Sequence, residues 1–383
     1  MSWEVVGKNY LNGRNIRIEI EKEVIVGVYP FQTDMTLPFV APGLVDLQVN
    51  GYSGVDLNTK GLIEEDIYQM VESLFTQGVT SFLPTVITNS SERIKQILKV
   101  ILSACKKYPL VDSAVLGIHL EGPFLSKQEG PRGAHDSGYM QAPNWALFED
   151  WQKAAGGKIK LITLSPEWEG TGSFIEKSVQ SGVKVSIGHT AANQSQIQKA
   201  IDSGATLSTH LGNGCHQYLP RYPNYIWNQL AADQLWASLI ADGFHLPYDV
   251  LKVFLKVKQD RAFLVSDTTH LAGLPAGAYD THIGSKVILD ENGRLYMKDN
   301  PSALAGSAQS LLWCVNHLVK SGLRTLPEAW NLASLKPAEY FKGAATPAFK
   351  VGAKADLVLF EWLADSKALK VKQSFKAGKV VYG

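Results

Sequence analysis

The feature that most limits how this chain can fold is a series of eight apolar runs, spaced along residues 43–268. Each run is apolar at consecutive rather than alternate positions, as expected for parallel strands that are buried on both faces. The stretches between them, such as EEDIYQMVESLFTQG and NQSQIQKAIDSG, carry apolar residues three and four positions apart, which is typical of amphipathic helices. The runs cover residues 43–49, 80–87, 114–122, 159–167, 183–190, 205–213, 237–245 and 262–268.

Eight repeats of a strand and a helix predict a closed (β/α)8 barrel of the TIM type. The alternative is an open, doubly wound sheet, which would carry a glycine-rich phosphate-binding turn after an early strand. No such turn follows the early runs of this sequence. We therefore predict an α/β protein built on the barrel.

The sequences at both ends of the chain lack the strand–helix alternation of the middle and instead predict short strands. Ile16, Ile18 and Ile20 alternate with charged residues, and the stretch DLVLFE, residues 356–361, lies close to the other end. Strand-like ends around a different middle predict one small β unit made from both termini. We expect a small β-sandwich domain from residues 1–40 and 349–383, and a barrel domain from residues 41–348.

The composition of the chain limits the classes of partner that it is expected to bind. The net charge is +1 and no basic block stands out, so neither nucleic acid nor an acidic membrane surface is expected to bind. Polar and charged residues occur throughout the N-terminal stretch, which is not expected to be a signal peptide because it has no apolar core. No later run is long enough to span a membrane. Three cysteines without a CxxC pair suggest a reducing compartment. We expect a cytoplasmic protein that acts on a small molecule.

Polar side chains stand where the apolar runs end. The strand-end residues are His119, Glu121, His189, His210, His245 and Asp267. The carboxyl ends of barrel strands surround one mouth, so these side chains should converge there. One such histidine would commonly be a hydrogen-bonded structural group, but four on separate strands, together with two acids, favour a metal site. Imidazole and carboxylate suit a borderline divalent ion such as Zn2+, and a carboxylate beside it can act as general base and then general acid.

Two loops rich in glycine and proline follow the third and sixth runs, over residues 125–143 and 212–227. Loops at this end of a barrel commonly build the active site.

Seven motifs occur in an order that resembles the N-acetylglucosamine-6-phosphate deacetylase family of the amidohydrolase superfamily. They are APGLVDLQVNG, HLEGPF, GHT, THLGN, ADGFH, SDTT and LAGS, and together they extend over nearly the whole chain. The resemblance implies hydrolysis of N-acetylglucosamine 6-phosphate to glucosamine 6-phosphate and acetate, with a small amino sugar as substrate. It also implies a homodimer.

The resemblance carries roles onto individual residues. It implies that Glu121, His189 and His210 bind the metal, and that Asp267 activates water and protonates the leaving amine. The substrate-binding positions it implies are Ala134, His135, Asn213, Gly214, His245, Leu304, Ala305 and Gly306.

The first run bears on the number of metal ions. Many amidohydrolases carry His-x-His there and bind two metals, whereas this chain has Gln48 and Asn50. Neither side chain offers an imidazole nitrogen, so we expect one divalent ion, Zn2+ in the first place, with Fe2+, Co2+ or Mn2+ as alternatives. Gln48, Asn50 and His119 are then supporting residues.

The loop after the sixth run departs from the family, which has HLYNAM and an REPG-like segment where this chain reads HLGNGCHQYLPRYPNYIW. Arg221 could bind the sugar phosphate through paired hydrogen bonds, or it could be a solvated loop charge. Three alternative functions are therefore kept: an amidohydrolase for a different N-acyl sugar, with or without a phosphate, or for an N-acyl amino acid; a deaminase; or a non-catalytic binding protein.

Overall fold

The computed structural model describes residues 2–280, 286–342, 348–363 and 368–383. At its centre is a parallel sheet of eight strands, in which each strand pairs with the next one along the chain. These first to eighth barrel strands are Leu44–Val49, Val79–Ile87, Ile118–Glu121, Ile159–Leu164, Lys184–Ile187, Leu207–Ser208, Trp236–Leu239 and Ala262–Leu264. Each of them overlaps one of the eight apolar runs, so the predicted barrel strands are confirmed.

The first and eighth strands meet again and close the sheet. Val49 and Thr268 form a parallel bridge. The backbone N–H of Asp267 donates to the carbonyl of Gln48 at 3.0 Å, and that of Asn50 donates to the carbonyl of Thr268 at 3.0 Å. The predicted barrel is therefore confirmed, and the carboxyl ends of its strands surround a single mouth.

Helices cover the outside of the barrel. The helix Ser91–Lys107 shows why they form: the Ser90 hydroxyl accepts a hydrogen bond from the Arg93 N–H, and Ile94, Ile97 and Ile101 form its buried face. The helices are Glu64–Phe75, Ser91–Lys107, Pro109–Ala114, Trp145–Ala154, Thr171–Gln180, Gln194–Asp202, Tyr225–Ala231, Tyr248–Lys258, Leu311–Lys320, Leu326–Ala333 and Leu335–Lys342, with a 3-10 turn at Gln259–Arg261.

The end of the barrel opposite the mouth is filled by an aromatic side chain. Tyr340, on the helix Leu335–Lys342, stacks on Phe263 with 5.4 Å between ring centroids. Its hydroxyl lies 3.1 Å from the hydroxyl of Thr206, which directly precedes the sixth strand. Tyr340 thus belongs to an apolar cluster with inward-facing residues of several strands, such as Leu207 and Phe263.

Strands from both termini form one separate seven-stranded sheet, as expected from the sequence. Phe39–Pro42 pairs in antiparallel fashion with Leu357–Leu363, which joins the two ends of the chain. The other strands are Ser2–Asn9, Asn15–Glu21, Val24–Pro30, Ala368–Lys376 and Lys379–Tyr382. Residues 343–347 and 364–367 lie outside the described residues, and the domain boundaries stay a prediction.

Two smaller sheets were not expected from the sequence. Gly51–Tyr52 pairs with Val55–Asp56. After the eighth strand, four antiparallel strands follow: Gly277–Asp280, Lys286–Leu289, Leu295–Met297 and Asn300–Leu304. The last of them leads back to the barrel mouth.

No helix in the described part of the chain is both long enough and apolar enough to cross a membrane.

A buried lysine of the terminal sheet pairs with an aspartate next to that sheet and also contacts the barrel. Lys376 Nζ lies 2.7 Å from a carboxylate oxygen of Asp356 and 2.9 Å from the Ser81 hydroxyl on the second barrel strand. The Lys376 side chain is 4% exposed. Burial lowers the pKa of Lys376, and the Asp356 charge opposes that shift.

Replacing Lys376 with methionine should lower the free energy of unfolding by about 3 kcal/mol, because the Asp356 carboxylate would be left in a partly buried place without its counter-charge. The matched control is Lys372→Met in the same strand, where the pair with Glu361 is half exposed, and about 1 kcal/mol or less is expected. Urea unfolding of both variants measures the difference. Equal losses would show that the buried pair stabilises the protein no more than the exposed pair does.

Candidate active site

The mouth of the barrel collects side chains from the ends of four strands. Glu121 is the last residue of the third strand, and His189, His210 and Asp267 follow the fifth, sixth and eighth strands. These last three have positive φ angles of 49°, 29° and 50°. This left-handed conformation costs a residue other than glycine roughly 1–3 kcal/mol and is often found at functional sites. The same strained turn thus occurs at three strand ends whose side chains enter one site.

Glu121, His189 and His210 form a buried cluster. His210 Nε2 lies 3.1 Å from His189 Nε2 and 3.1 Å from Glu121 Oε1, and His189 Nε2 lies 3.5 Å from the same oxygen. Ligands placed tetrahedrally at zinc distances would be roughly 3.3 Å apart. The three donor atoms therefore have the spacing and chemistry to hold a small divalent cation, as the predicted ligand set requires.

Neighbouring groups orient two of these side chains. His189 Nδ1 donates to the carbonyl of Pro131 at 2.8 Å, so its Nε2 carries the lone pair that faces the cluster. The side-chain amide of Gln48 donates to Glu121 Oε1 at 2.8 Å. Gln48 thus contacts a predicted ligand directly, which agrees with its expected supporting place.

The charges in the cluster depend on one another. Burial raises the pKa of Glu121, but its bonds to His189 and His210 outweigh burial and hold that pKa well below the usual value. Burial lowers the pKa of His210, but the hydrogen bond to Glu121 outweighs it and the pKa is raised. The cluster therefore keeps a buried carboxylate ionised, which is the form that can bind a cation.

Asp267 lies beside the cluster, and its carboxylate is held by the first barrel strand. The Asn50 amide donates to Asp267 Oδ1 at 2.7 Å. Burial raises the pKa of Asp267 to about 6, and the nearby charge of Glu121 acts in the same direction. A carboxyl group with a pKa in this range can both accept and return a proton near neutral pH.

His135 joins the cluster, whereas His119 does not. His135 Nε2 lies 3.8 Å from Glu121 Oε2, and its Nδ1 lies 3.0 Å from the Thr88 hydroxyl. Burial lowers the pKa of His135 to about 3, so the ring is neutral. His119 instead bonds the Thr163 hydroxyl at 2.7 Å, inside the barrel. His119 thus bonds a hydroxyl inside the barrel rather than the donor atoms of the cluster, and its supporting role stays a prediction.

His245 is held by a partner that the sequence analysis did not single out. Its Nδ1 lies 2.7 Å from a carboxylate oxygen of Asp242, three residues earlier. Burial raises the pKa of Asp242, but the bond to His245 outweighs it and the pKa is lowered. Nε2 is then the ring atom that can contact a ligand. The ADGFH motif contains both residues, so their spacing was a signal that could have revealed the pair.

Several of the predicted substrate positions lie around the cluster. Asn213 donates its side-chain amide to the carbonyl of His210 at 3.1 Å. A Cβ on Gly214 would lie 2.6 Å from His189 Nδ1, so this backbone packs on the ring. Leu304, Ala305 and Gly306 lead into Ser307, which forms a parallel bridge with Thr268. Ala134 and Arg221 are exposed, and the predicted contact of Arg221 with a phosphate stays a prediction.

Most of the groups that the sequence did not reveal are hydrogen-bond partners of the predicted site residues. Thr88 and the carbonyl of Pro131 lie on loops far from their histidines in the sequence. A backbone carbonyl leaves no signal in residue types, so only the folded chain reveals it.

Comparison with known proteins identifies the class to which this site belongs. The amidohydrolase family matches residues 39–381. The chain belongs to this family, and it is a hydrolase.

The individual proteins reported below, to which the chain is similar, share one name. The chain is 31% identical to N-acetylglucosamine-6-phosphate deacetylase of Caenorhabditis elegans, over 98% of this chain and 91% of that protein. It is 30% identical to the protein of that name from Lysinibacillus sphaericus, over 89% of this chain and 85% of the other. The crystal structure of N-acetylglucosamine-6-phosphate deacetylase from Pasteurella multocida superimposes with a TM-score of 0.85, at 26% identity over 99% of each chain.

Replacing Glu121 with glutamine should remove most of the divalent metal from the purified protein, because glutamine keeps the shape but lacks the charge that offsets a buried cation. Elemental analysis after dialysis measures the metal content. Glu129→Gln, an exposed change on the loop 125–143, is the control and should retain the metal. A full complement of metal in Glu121→Gln would contradict the assigned ligand.

Proposed function

We propose that this chain removes acetate from N-acetylglucosamine 6-phosphate, giving glucosamine 6-phosphate, with Asp267 as the residue that moves the protons. The observation that carries the proposal is the Asp267 carboxylate, fixed by Asn50 next to the Glu121–His189–His210 cluster. The similar proteins from Caenorhabditis elegans and Lysinibacillus sphaericus, which bear the name of this activity, support the substrate.

We further propose that Glu121, His189 and His210 hold one divalent ion, Zn2+ in the first place, with Fe2+, Co2+ or Mn2+ as alternatives. When bound, such an ion acidifies water and polarises an acyl oxygen. The donor set of two imidazole nitrogens and one carboxylate oxygen fits these metals. Gln48 and Asn50 offer no imidazole for a second ion and instead bond Glu121 and Asp267.

Asp267 performs two proton transfers in this scheme. The ionised carboxylate accepts a proton from water while the water oxygen attacks the carbonyl carbon of the acetamide. The protonated carboxyl group then donates that proton to the amine nitrogen as the C–N bond breaks, which restores the carboxylate. Asn50 bonds Oδ1, so Oδ2 is the oxygen that exchanges the proton.

The remaining mouth residues are proposed to bind the sugar. His245, with Nδ1 on Asp242, can offer Nε2 to a hydroxyl group. Neutral His135 can hydrogen-bond the acetamide without adding a positive charge beside the cation. The other proposed contacts are Ala134, Asn213, Gly214, Leu304, Ala305 and Gly306, with Arg221 for the phosphate. A homodimer, a cytoplasmic location and the division at residues 40 and 349 are also proposals.

The substrate is tested by measuring acetate released from N-acetylglucosamine 6-phosphate and from unphosphorylated N-acetylglucosamine. We expect a higher kcat/KM for the phosphorylated sugar. A preference for the unphosphorylated sugar would contradict the phosphate contact assigned to Arg221. Release of ammonia in place of acetate would identify a deaminase and overturn the proposal.

Asp267→Asn should reduce kcat by about 10²–10⁴-fold, because the amide can neither take the proton from water nor return it to the amine. Metal content and melting temperature should stay near those of the unchanged protein. Asp34→Asn, an exposed change in the loop that follows the strand Val24–Pro30, is the matched control and should keep full activity. Turnover retained in Asp267→Asn would disprove its catalytic role.

A further inference from the structure

The two long loops at the barrel mouth are tied together by three side chains. His216 and Tyr225 belong to the segment after the sixth strand, and Gln128 belongs to the loop after the third. His216 Nδ1 lies 2.9 Å from the Tyr225 hydroxyl, and its Nε2 lies 3.2 Å from Gln128 Oε1. The backbone N–H of His216 also donates to the Tyr225 hydroxyl, at 2.8 Å. We call this group, Gln128, His216 and Tyr225, the loop clasp.

The hydrogen bonds of the loop clasp fit a single arrangement of protons. The Tyr225 oxygen accepts from the His216 backbone, so its own O–H can donate to Nδ1. Nε2 then carries the ring proton and donates to Gln128 Oε1. Burial raises the pKa of Tyr225 to about 12, so the phenol keeps the proton this arrangement needs. Both ring nitrogens of His216 and the Tyr225 hydroxyl are then engaged within the group, which favours one fixed geometry.

The backbones of the two loops also touch at the loop clasp. Gly130 has a φ of 89°, and a Cβ there would lie 2.8 Å from the Cα of His216 and 3.0 Å from the Cys215 carbonyl oxygen. Any side chain at position 130 would therefore push the loops apart. The contact is a close fit of backbone on backbone, and the side-chain bonds of the loop clasp hold it in place.

The same two loops also contact the imidazole ring of His189. From the first loop, the Pro131 carbonyl accepts from His189 Nδ1 at 2.8 Å, and a Cβ on Gly133 would lie 3.2 Å from Cε1. From the second loop, a Cβ on Gly214 would lie 2.6 Å from Nδ1. Gly214 is two residues from His216, and Pro131 is three residues from Gln128. A shift of either loop at the loop clasp would therefore reach the imidazole.

We propose that His216 and Tyr225 are positioning residues: by locking the two mouth loops together, they fix the ring of His189 with Nε2 directed at Glu121 and His210. This rests on the proposed function, in which His189 is a metal ligand. Neither residue touches the cluster, so both act through Pro131 and Gly214. The loop after the sixth strand, which departs from the family pattern, thus has a task in assembling the site.

The test removes one oxygen from the loop clasp. Tyr225→Phe should speed the loss of the bound metal to a chelator about tenfold or more, the size of effect typical when a partner of a ligand is removed. It should also lower kcat for acetate release more than it raises KM, because part of the proposed sugar contacts, such as His245 and Leu304, lie outside the two loops, whereas both loops hold His189. Tyr218→Phe makes the same chemical change on an 86% exposed tyrosine of the same loop and should match the unchanged protein.

A second variant separates the loop clasp from general stability. His216→Ala should give the same faster metal loss, and the double variant His216→Ala, Tyr225→Phe should be little worse than either single one, since both break one unit. The proposal would be overturned if Tyr225→Phe lost metal at the unchanged rate and kept its kcat. It would also be overturned if the melting temperature fell while the rate of metal loss stayed the same. If the unchanged protein releases no acetate, the proposed function fails, but the chelator experiment still decides the role of the loop clasp.

Discussion

The hydrogen bonds that join the first and eighth barrel strands close the barrel and bring the residues of its candidate site together. The carbonyl of Gln48 accepts from Asp267, and the N–H of Asn50 donates to Thr268, so the sheet closes at the level of the site. Closure places strand one and strand eight side by side at the mouth, although Asn50 and Asp267 are 217 residues apart in the sequence. The Asn50 amide can then reach Asp267, and the Gln48 amide can reach Glu121. The same strand contacts that close the barrel therefore also orient the Asp267 carboxylate.

The site combines buried charge with groups that keep it ionised. A carboxylate such as Glu121 would be expensive to bury alone, and two imidazoles together with the Gln48 amide offset that cost. Asp267 receives less compensation, since only the Asn50 amide bonds it among the described contacts, and burial raises its pKa to about 6. Two carboxyl groups in one pocket are thus driven apart in acidity, which suits one for holding a cation and the other for moving protons.

Strain and loop packing complete the site. His189, His210 and Asp267 each adopt a left-handed backbone, a conformation that persists only when neighbouring structure holds it. For His189 that structure is visible, because two loops from different strands enclose the ring with backbone atoms. The glycines in these loops matter for their lack of a side chain, since a Cβ at position 214 would collide with the imidazole.

Residue types and their spacing were enough to predict the barrel and the β unit from both termini, because buried strands are apolar at consecutive positions. They also predicted that Glu121, His189, His210 and Asp267 stand at strand ends. They could not reveal that His119 turns to Thr163 inside the barrel, whereas His135 joins the cluster from a loop. These contacts were found in the folded chain, as were those of Pro131 with His189 and of Asp242 with His245. A hydrogen bond depends on where two atoms meet in space, and many partners here are loop residues or backbone carbonyls that no sequence pattern marks.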